Sequence, residues 1–371
     1  MSKNPEDKKL NICFMTGSMA TGGAERVITT LANEFAQKGH KVLIICLGRT
    51  EQKTIYNLND KVPVIFTGSQ EQISFITRKY RQYKRVKSRL SYEKPNVIIG
   101  FQNYINVQAV IYGKRNQIPV VISERSFPQK NLRGFLGFGL LCKLIYSFAD
   151  AAVFQTNEQK KFYNMAWRRR DTIIMNPLRC AAAEIPFYHV RDEVRIIGSV
   201  GRLEKTKNYP LLIKTFSRLK KRFPQLRLVI WGTGGMQEEL YELVKLLGIE
   251  EAVSFPGETG DIFGQMIQFD IFAFSSMYEG IPNALIEAMC VGLPCVSTDF
   301  EGGGAGRLVQ NGVNGLLVKN NDEAMFEQAL TKLITDAELR KRLSENAKAM
   351  RKETEIENVS KQWLDIISKV L

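Results

Sequence analysis

The chain has 371 residues, which is too long for one ordinary domain and suits two domains that each bury a core. An apolar fraction of 44% is normal for a folded globular protein and excludes wholesale disorder. The 52 Lys and Arg residues outnumber the 38 Asp and Glu residues, and this net charge of +14 predicts an anionic partner: nucleic acid, an anionic membrane or a phosphorylated substrate.

The sequence offers few candidates for a metal site, a disulfide or a membrane-spanning segment. The six cysteines are scattered without a Cys-x-x-Cys pair, and His40 and His189 are the only histidines. We therefore expect reduced thiols and no metal centre. The charged N-terminus does not resemble a signal peptide, and the apolar run at 134–154 is interrupted by charges. We expect a cytoplasmic protein, or one on the cytosolic face of a membrane.

The first half of the chain alternates apolar runs with helical patterns, which predicts a parallel sheet wound on both faces. Gly22 and Gly23 lie between the first predicted strand and the first predicted helix. Small residues there let an anion approach the helix-start amides, but the loop lacks the Gly-x-Gly-x-x-Gly and P-loop patterns, so this signal is weak alone. The predicted strands are 10–15, 41–47, 62–66, 97–100, 119–122 and 151–154.

A basic amphipathic helix is predicted between residues 75 and 94, with apolar and aromatic residues at helical spacing and Glu93 as its only acid. Its charged face either is simply solvated or binds a membrane or another phosphate-rich partner. Because nearly all of its charges are positive, the pattern favours a partner. An apolar run at 135–141 and a basic-aromatic run at 167–170 belong to the same half of the chain. The basic residues are Arg78, Lys79, Arg81, Lys84, Arg85, Lys87, Arg89 and Lys94.

Residues from 176 to 189 have no clear period, and we interpret them as the linker between two domains. A second alternating pattern follows and predicts a second doubly wound parallel sheet. Ligands of such sheets bind beyond the carboxyl ends of the strands, so two domains would share a cleft. The last helix carries an apolar stripe that must dock on another element. The predicted strands of this half are 194–200, 226–231, 252–255, 271–274, 294–297 and 315–318.

The stretch from 278 to 289 joins a predicted buried strand to a helix, with Pro282 at the first helical position. Amides at such a start attract phosphate. Glu279 precedes the helix and Glu287 lies within it, eight positions later. This pattern suits a nucleotide-sugar whose ribose hydroxyls Glu287 would hold, although two solvated carboxylates explain it equally well when it is taken alone.

Arg202 and Lys207 follow the first strand of the second half, where a bound diphosphate needs positive charge. Together with other segments they resemble the retaining GT-B glycosyltransferases of family 4. The resemblance covers nearly the whole chain and is carried, in order, by Gly22–Arg26, Gly201–Asn208, Trp231–Gly234, Val253–Gly257, Glu279–Ala288 and Asn311–Val318.

The resemblance implies an α/β protein of the GT-B fold, with two doubly wound parallel-sheet, Rossmann-like domains facing across a cleft. The acceptor-binding domain would span 1–185, the nucleotide-sugar-binding domain 186–355, and a C-terminal helix, 356–371, would cross back to the first domain. Glu279 would lie beside the transferred sugar, and Arg125 replaces a histidine that many relatives carry near the reacting sugar. The implied donor-binding residues are Gly22, Gly23, Arg202, Lys207, Gly232, Phe255, Pro256, Gly257, Asn283, Ala284, Leu285 and Glu287.

The implied reaction is transfer with retention from a UDP-sugar, without a metal or other cofactor, because Arg202, Lys207 and helix-start amides would stabilise the leaving group. A narrower resemblance, to N-acetylgalactosaminyltransferases, implies transfer of GalNAc, another HexNAc or a hexose to a polyprenyl-diphosphate-linked glycan. Arg78, Lys79, Arg81, Lys84, Arg85 and Lys87 would contact the acceptor or an anionic membrane. The alternatives are a nucleotide-sugar epimerase of the same architecture and, ranked lowest because no nucleic-acid motif is present, a nucleic-acid-binding protein.

Overall fold

The computed structural model describes residues 9–20, 22–48, 56–68, 74–125, 136–163 and 170–371. The chain divides into two compact units, of which the first contains Met1–Arg179 and Glu355–Leu371 and the second contains Cys180–Thr354. The segment after Cys180 belongs to the second unit because Arg351 donates hydrogen bonds to the carbonyls of Ala182 (3.1 Å) and Pro186 (2.9 Å).

The first unit is built on a parallel sheet of seven described strands in the order β3-β2-β1-β4-β5-β6-β7. These strands read as continuous apolar runs because helices cover both faces of the sheet. The strand order reverses between β1 and β4, where an open parallel sheet binds its ligands. The strands are β1 (Asn11–Thr16), β2 (Lys41–Cys46), β3 (Val64–Phe66), β4 (Val97–Phe101), β5 (Val120–Ser123), β6 (Ala151–Phe154) and β7 (Asp171–Ile173).

Different helices cover the two faces of this sheet. Alternation along β1 directs Ile12 and Phe14 to one face, where they share a core with α1. Cys13 and Met15 point to the other face and share a core with α2, α3 and α4. The described helices up to residue 162 are α1 (Gly23–Gln37), α2 (Phe75–Glu93), α3 (Asn103–Asn116), α4 (Leu136–Tyr146) and α5 (Asn157–Phe162).

The second unit contains a parallel sheet of six strands in the order β10-β9-β8-β11-β12-β13. Its switch point lies between β8 and β11. The strands are β8 (Ile196–Val200), β9 (Arg227–Trp231), β10 (Val253–Gly257), β11 (Ile271–Phe274), β12 (Cys295–Asp299) and β13 (Leu316–Lys319). The helices are α6 (Tyr209–Arg222), α7 (Gln237–Leu246), α8 (Ile262–Met266), α9 (Asn283–Val291), α10 (Gly304–Leu308), α11 (Glu323–Thr335), α12 (Ala337–Ala347) and α13 (Met350–Thr354).

The last helix, α14 (Ile356–Ser368), completes the core of the first unit. Its apolar stripe packs on the same face of the sheet as α1. Trp363 is fully buried and stacks on Phe101 with the ring centroids 5.8 Å apart. Lys38 Nζ donates a 2.7 Å hydrogen bond to Ser360 Oγ. The final helix therefore docks on the first unit through both apolar and polar contacts.

The predicted class, an α/β protein with two doubly wound parallel sheets, is confirmed by this topology. The sequence analysis missed β7, because its three half-buried residues form no apolar run. Within the described part of the chain, no helix has both the length and the apolar character that crossing a bilayer requires.

We expect Trp363→Ala to destabilise the first unit, because it removes a fully buried indole from the contact between α14 and the sheet. Truncation of a buried tryptophan typically lowers the free energy of unfolding by about 3–5 kcal/mol. Urea denaturation followed by far-UV circular dichroism measures the change, and Lys361→Ala on the exposed side of the same helix is the control. A loss below about 1 kcal/mol would contradict this packing role.

Candidate active site

Lys207 and Glu279 form an ion pair at the carboxyl ends of β8 and β11. Lys207 Nζ donates a hydrogen bond to Glu279 Oε1, and the side chains are only 16% and 22% exposed. The ammonium also lies 5.1 Å from the centroid of the Phe274 ring. The turn that carries Lys207 is fixed to the loop after β11, since Ser275 Oγ donates to the Lys207 carbonyl at 2.8 Å. The sheet thus brings together two residues that the sequence analysis assigned to one site.

Helix α9 begins immediately after this loop and is buried on all sides beyond its first turn. Pro282 occupies the N-cap position rather than the first helical position, and it supplies no side-chain hydrogen bond to the helix start. Asn283, Ala284 and Leu285 form the first turn, where backbone amides and the helix dipole favour an anion. Glu287 follows in the second turn and is 2% exposed. The helix start and both acids therefore belong to one local element.

Arg202 is exposed to solvent, whereas Lys207 is mostly buried. The Arg202 side chain is 65% exposed, and Nη1 forms an ion pair with Glu204 Oε1 at 2.9 Å. Such an exposed ion pair is weak, because water screens it and both side chains lose freedom. Arg202 is therefore held loosely, and a phosphate with two oxygens to offer could compete for its guanidinium.

Two glycines of this site are required by close backbone approaches. Gly232 has φ +138°, and a Cβ there would lie 2.1 Å from the carbonyl oxygen of Gly201. A Cβ on Gly304 would lie 1.7 Å from the carbonyl oxygen of Gly280. The start of α10 therefore packs directly against the backbone next to Glu279, which requires glycine at position 304.

Phe255, Pro256 and Gly257 lie on β10, the edge strand of the second sheet. The Phe255 ring packs edge-on against Tyr241 with the centroids 4.9 Å apart, whereas Pro256 is exposed. The Gly257 carbonyl accepts a 2.7 Å hydrogen bond from Gly232 N. A base contact here would have to use the backbone or Pro256, because the Phe255 ring already packs against α7.

Arg125 follows β5 in the first unit and is held mainly by aromatic rings. Its guanidinium carbon lies 4.6 Å from the Phe101 ring centroid and 5.6 Å from that of Trp363. Nη1 donates a 2.7 Å hydrogen bond to Asn176 Oδ1, while Nε and Nη2 are buried without a hydrogen-bond partner. Burial lowers the pKa of Arg125 to about 9, although the nearby Glu124 carboxylate acts in the opposite direction.

The sequence analysis missed the residues that fix Arg125. Glu124 is fully buried, and it accepts hydrogen bonds from Arg125 N (3.0 Å) and from the Tyr146 hydroxyl (3.1 Å). Burial and the charge of Glu124 hold the pKa of Tyr146 well above its usual value. The adjacent Glu and Arg at a strand end were a usable signal for Glu124, but nothing local pointed to Asn176 or Trp363.

Gly22 and Gly23 begin α1, with Gly22 at the N-cap position in an extended conformation. The Glu25 carboxylate lies beside this helix start, because a Cβ on Gly22 would be 2.1 Å from Glu25 Oε2. An acid in the first turn already satisfies the dipole that would attract an anion. A phosphate contact at Gly22 and Gly23 therefore remains a prediction, and it would require Glu25 to move.

Helix α2 has the amphipathic form that its sequence predicts. Val86 and Leu90 are buried, whereas Ile76 and Tyr80 are 79% and 57% exposed. Its only acid, Glu93, is buried and pairs with both Lys41 and Arg89 at 2.9 Å. The outward face therefore carries basic and aromatic side chains. Of the two further runs named above, residues 135 and 167–169 lie outside the described residues.

Two protein-family models match this sequence. The model described as Glycosyltransferase Family 4 matches residues 21–176, and the model described as Glycosyl transferases group 1 matches residues 183–350. The first match ends before the start of the second unit, and the second match lies within that unit. Each structural unit thus has its own family match.

Two similar proteins come from Campylobacter jejuni. One is named GalNAc-alpha-(1->4)-GalNAc-alpha-(1->3)-diNAcBac-PP-undecaprenol alpha-1,4-N-acetyl-D-galactosaminyltransferase; it is 28% identical, over 97% of this chain and 99% of its own length. The other is named N-acetylgalactosamine-N,N'-diacetylbacillosaminyl-diphospho-undecaprenol 4-alpha-N-acetylgalactosaminyltransferase; it is 29% identical, over 90% of this chain and 93% of its own length.

Solved structures share the fold at lower identity. Anabaena Alr3699/HepE in complex with UDP and glucose has a TM-score of 0.80 and 19% identity, over 97% of this chain and 99% of its own. Sucrose-phosphate synthase from Thermosynechococcus elongatus has a TM-score of 0.80 and 15% identity over the same shares. At these identities the likeness concerns the fold alone.

We expect Gly232→Ala to destabilise the second unit, because the new Cβ would overlap the Gly201 carbonyl and the backbone has positive φ. Forcing such a position typically costs about 1–3 kcal/mol. Gly235→Ala is the matched control, since a Cβ there would meet nothing within 4 Å. Thermal unfolding measures both variants, and equal melting temperatures would show that the β8–β9 approach is not constrained as described.

Proposed function

We propose that this chain, a member of the GT-B glycosyltransferases, transfers a sugar from a UDP-sugar to a polyprenyl-diphosphate-linked glycan. Its first unit matches the family 4 model and its second unit matches the group 1 model. The observation that carries the proposal is the ion pair of Lys207 and Glu279 beside the start of α9. This arrangement offers a cation and helix-start amides to a diphosphate, and carboxylates to sugar hydroxyls.

The donor in this proposal binds along the carboxyl edge of β8 and β11. Lys207, Arg202 and the first turn of α9 would hold the diphosphate, and Glu287 in the second turn would hold the ribose. The choice of UDP is supported by the Anabaena protein of the same fold, whose structure is a complex with UDP and glucose. The choice of GalNAc, another HexNAc or a hexose is supported by the names of the Campylobacter relatives.

The proposed chemistry is transfer with retention, giving an α-linkage such as the relatives' names describe. The main catalytic effect would be stabilisation of the departing UDP by fixed positive charge and backbone amides. The proposal assigns no metal to this step, because Lys207 and Arg202 supply the positive charge that the diphosphate needs. Glu279 would orient the sugar through its hydroxyls, and Arg125 would contact the sugar or the leaving group.

In this proposal the polyprenyl chain of the acceptor lies in an anionic membrane, and the protein binds the cytosolic face of that membrane. Helix α3 packs against both α2 and α4, so the three helices form one layer of the first unit. We call the exposed side chains of this layer the basic-aromatic face. Its apolar and aromatic members include Ile76, Tyr80, Tyr92, Tyr104, Ile111, Leu141 and Leu144, and its exposed cations include Arg81, Lys84, Arg85 and Lys87.

Apolar and aromatic groups surrounded by cations suit an anionic bilayer surface, where rings enter the headgroup region and cations attract the lipids. Cation–ring contacts keep both groups together at the surface: Lys84 Nζ is 4.8 Å from the Tyr80 ring centroid, and Lys79 Nζ is 5.1 Å from that of Tyr104. Arg78 belongs to the same helix. The proposal includes no nucleic-acid partner.

We expect Lys207→Met to lower kcat/KM for the UDP-sugar by about 100-fold or more, because it removes a charge that stabilises the leaving group. Lys205→Met changes an exposed lysine of the same turn and should leave turnover unchanged. The assay presents UDP-, GDP- and ADP-sugars with and without a short-chain polyprenyl-diphosphate glycan. Product from one UDP-sugar that forms only with the lipid acceptor supports the proposal. Conversion of the donor alone would favour an epimerase, and no response to any nucleotide-sugar would overturn the proposal.

Reversing four charges of the basic-aromatic face, Arg81, Lys84, Arg85 and Lys87→Glu, is expected to weaken binding to phosphatidylglycerol-containing vesicles by at least about tenfold. The control reverses four exposed lysines of the second unit with the same change in net charge: Lys214, Lys221, Lys245 and Lys332→Glu. Vesicle co-sedimentation at two salt concentrations measures both sets. Equal binding by the two sets would remove the membrane from the proposal.

A further inference from the structure

Lys207 and Glu279 have different roles in the proposed function, yet they bind each other in this structure. Lys207 is assigned to the donor diphosphate and Glu279 to the transferred sugar. The ammonium donates to Glu279 Oε1, and the same oxygen lies 3.5 Å from Ser276 Oγ. A diphosphate that approaches Lys207 therefore meets an ammonium whose charge is already compensated and one of whose three donors is already engaged by this carboxylate.

The environment makes this competition significant. Both side chains are mostly buried, at 16% and 22% exposure, so water screens their attraction less than it screens the exposed pair of Arg202 and Glu204. The Phe274 ring, 5.1 Å from the ammonium, covers part of it. A half-buried cation with one face on a ring and one oxygen already bound has fewer directions left for a phosphate.

We propose that Glu279 is a built-in counter-ion of Lys207 that the donor diphosphate displaces, so that binding of the phosphates releases the carboxylate to the sugar. The inference rests on the proposed function and deepens it, because it assigns Glu279 a second role before the donor binds. Exchange of one anion for another keeps the mostly buried ammonium of Lys207 paired throughout, and the sugar hydroxyls offer hydrogen bonds to the released carboxylate. It also makes the sugar-orienting carboxylate available only when the phosphates are bound.

The inference predicts opposite effects of one substitution on two measurements. Glu279→Gln keeps the size of the side chain and removes its charge, so UDP no longer competes with a carboxylate for Lys207. UDP, which has no sugar, should then bind about three- to tenfold more tightly. Sugar transfer should fall, because the same substitution removes the acceptor for the sugar hydroxyls. A residue that only supports the fold would weaken both.

The experiment measures UDP affinity by isothermal titration calorimetry on the full chain and on Glu279→Gln, Lys207→Met and the double variant. Glu338→Gln is the control, because it breaks an exposed ion pair of the same unit, with Lys341 at 2.9 Å. It should not change UDP affinity. If Glu279 acts through Lys207, the gain from Glu279→Gln should disappear in the Lys207→Met background. Glu279→Asp, a shorter side chain that keeps the charge, gives a second reading if the glutamine variant does not fold, and its gain should be smaller.

The outcomes separate this inference from the proposed function. Absence of UDP binding to the unaltered chain would overturn the proposed function, and the inference with it. UDP binding by the unaltered chain, with equal or weaker binding by Glu279→Gln, would overturn the inference alone. A gain that persists without Lys207 would also overturn it, because the carboxylate would then repel the phosphates directly rather than hold the lysine.

Discussion

A parallel sheet covered by helices on both faces leaves its strand ends as the places where polar groups can meet a ligand. Both units of this chain are built under that constraint. In the first unit, α1 and α14 cover one face, while α2, α3 and α4 cover the other. Arg125 follows β5, Lys207 follows β8 and Glu279 follows β11. The polar chemistry therefore lies at strand ends because the remaining surface of each sheet is occupied by packing.

The same constraint explains how much of the fold was predictable. Buried parallel strands are apolar on both faces, so their runs stand out in the sequence, and the two sheets and their alternation with helices followed from those runs. β7 was not predicted, because it is a short, half-buried edge strand whose first residue is polar. The strand order was not predictable in the same way, since it depends on pairings between segments far apart in the chain.

The sequence analysis named residues for the candidate site but not the partners that the fold gives them. Spacing indicated that Lys207, Glu279 and Glu287 are suited to a nucleotide-sugar, yet it could not show that Lys207 binds Glu279, 72 positions away. Arg125 was named, but its contact Asn176 is 51 positions away, and Trp363 comes from the last helix of the chain. The base contact was assigned to the backbone near Phe255–Gly257 and stays a prediction, whereas spacing could not show that the Phe255 ring packs on Tyr241. Each of these contacts joins residues that are far apart in the sequence, so only the tertiary fold brings them together.

The charges of Lys207 in the second unit and of Arg125 in the first unit are compensated by different physical means. Lys207 has a carboxylate bound to its ammonium, so its charge is compensated before any ligand arrives. Arg125 has two rings and one amide oxygen around its guanidinium, and such ring contacts contribute only about 0.5–2 kcal/mol each. The lowered pKa of Arg125 follows from that weaker compensation of a buried charge. An anionic group near Lys207 must therefore first exchange with Glu279, whereas the charge of Arg125 is compensated by two rings, one amide oxygen and the nearby Glu124 carboxylate.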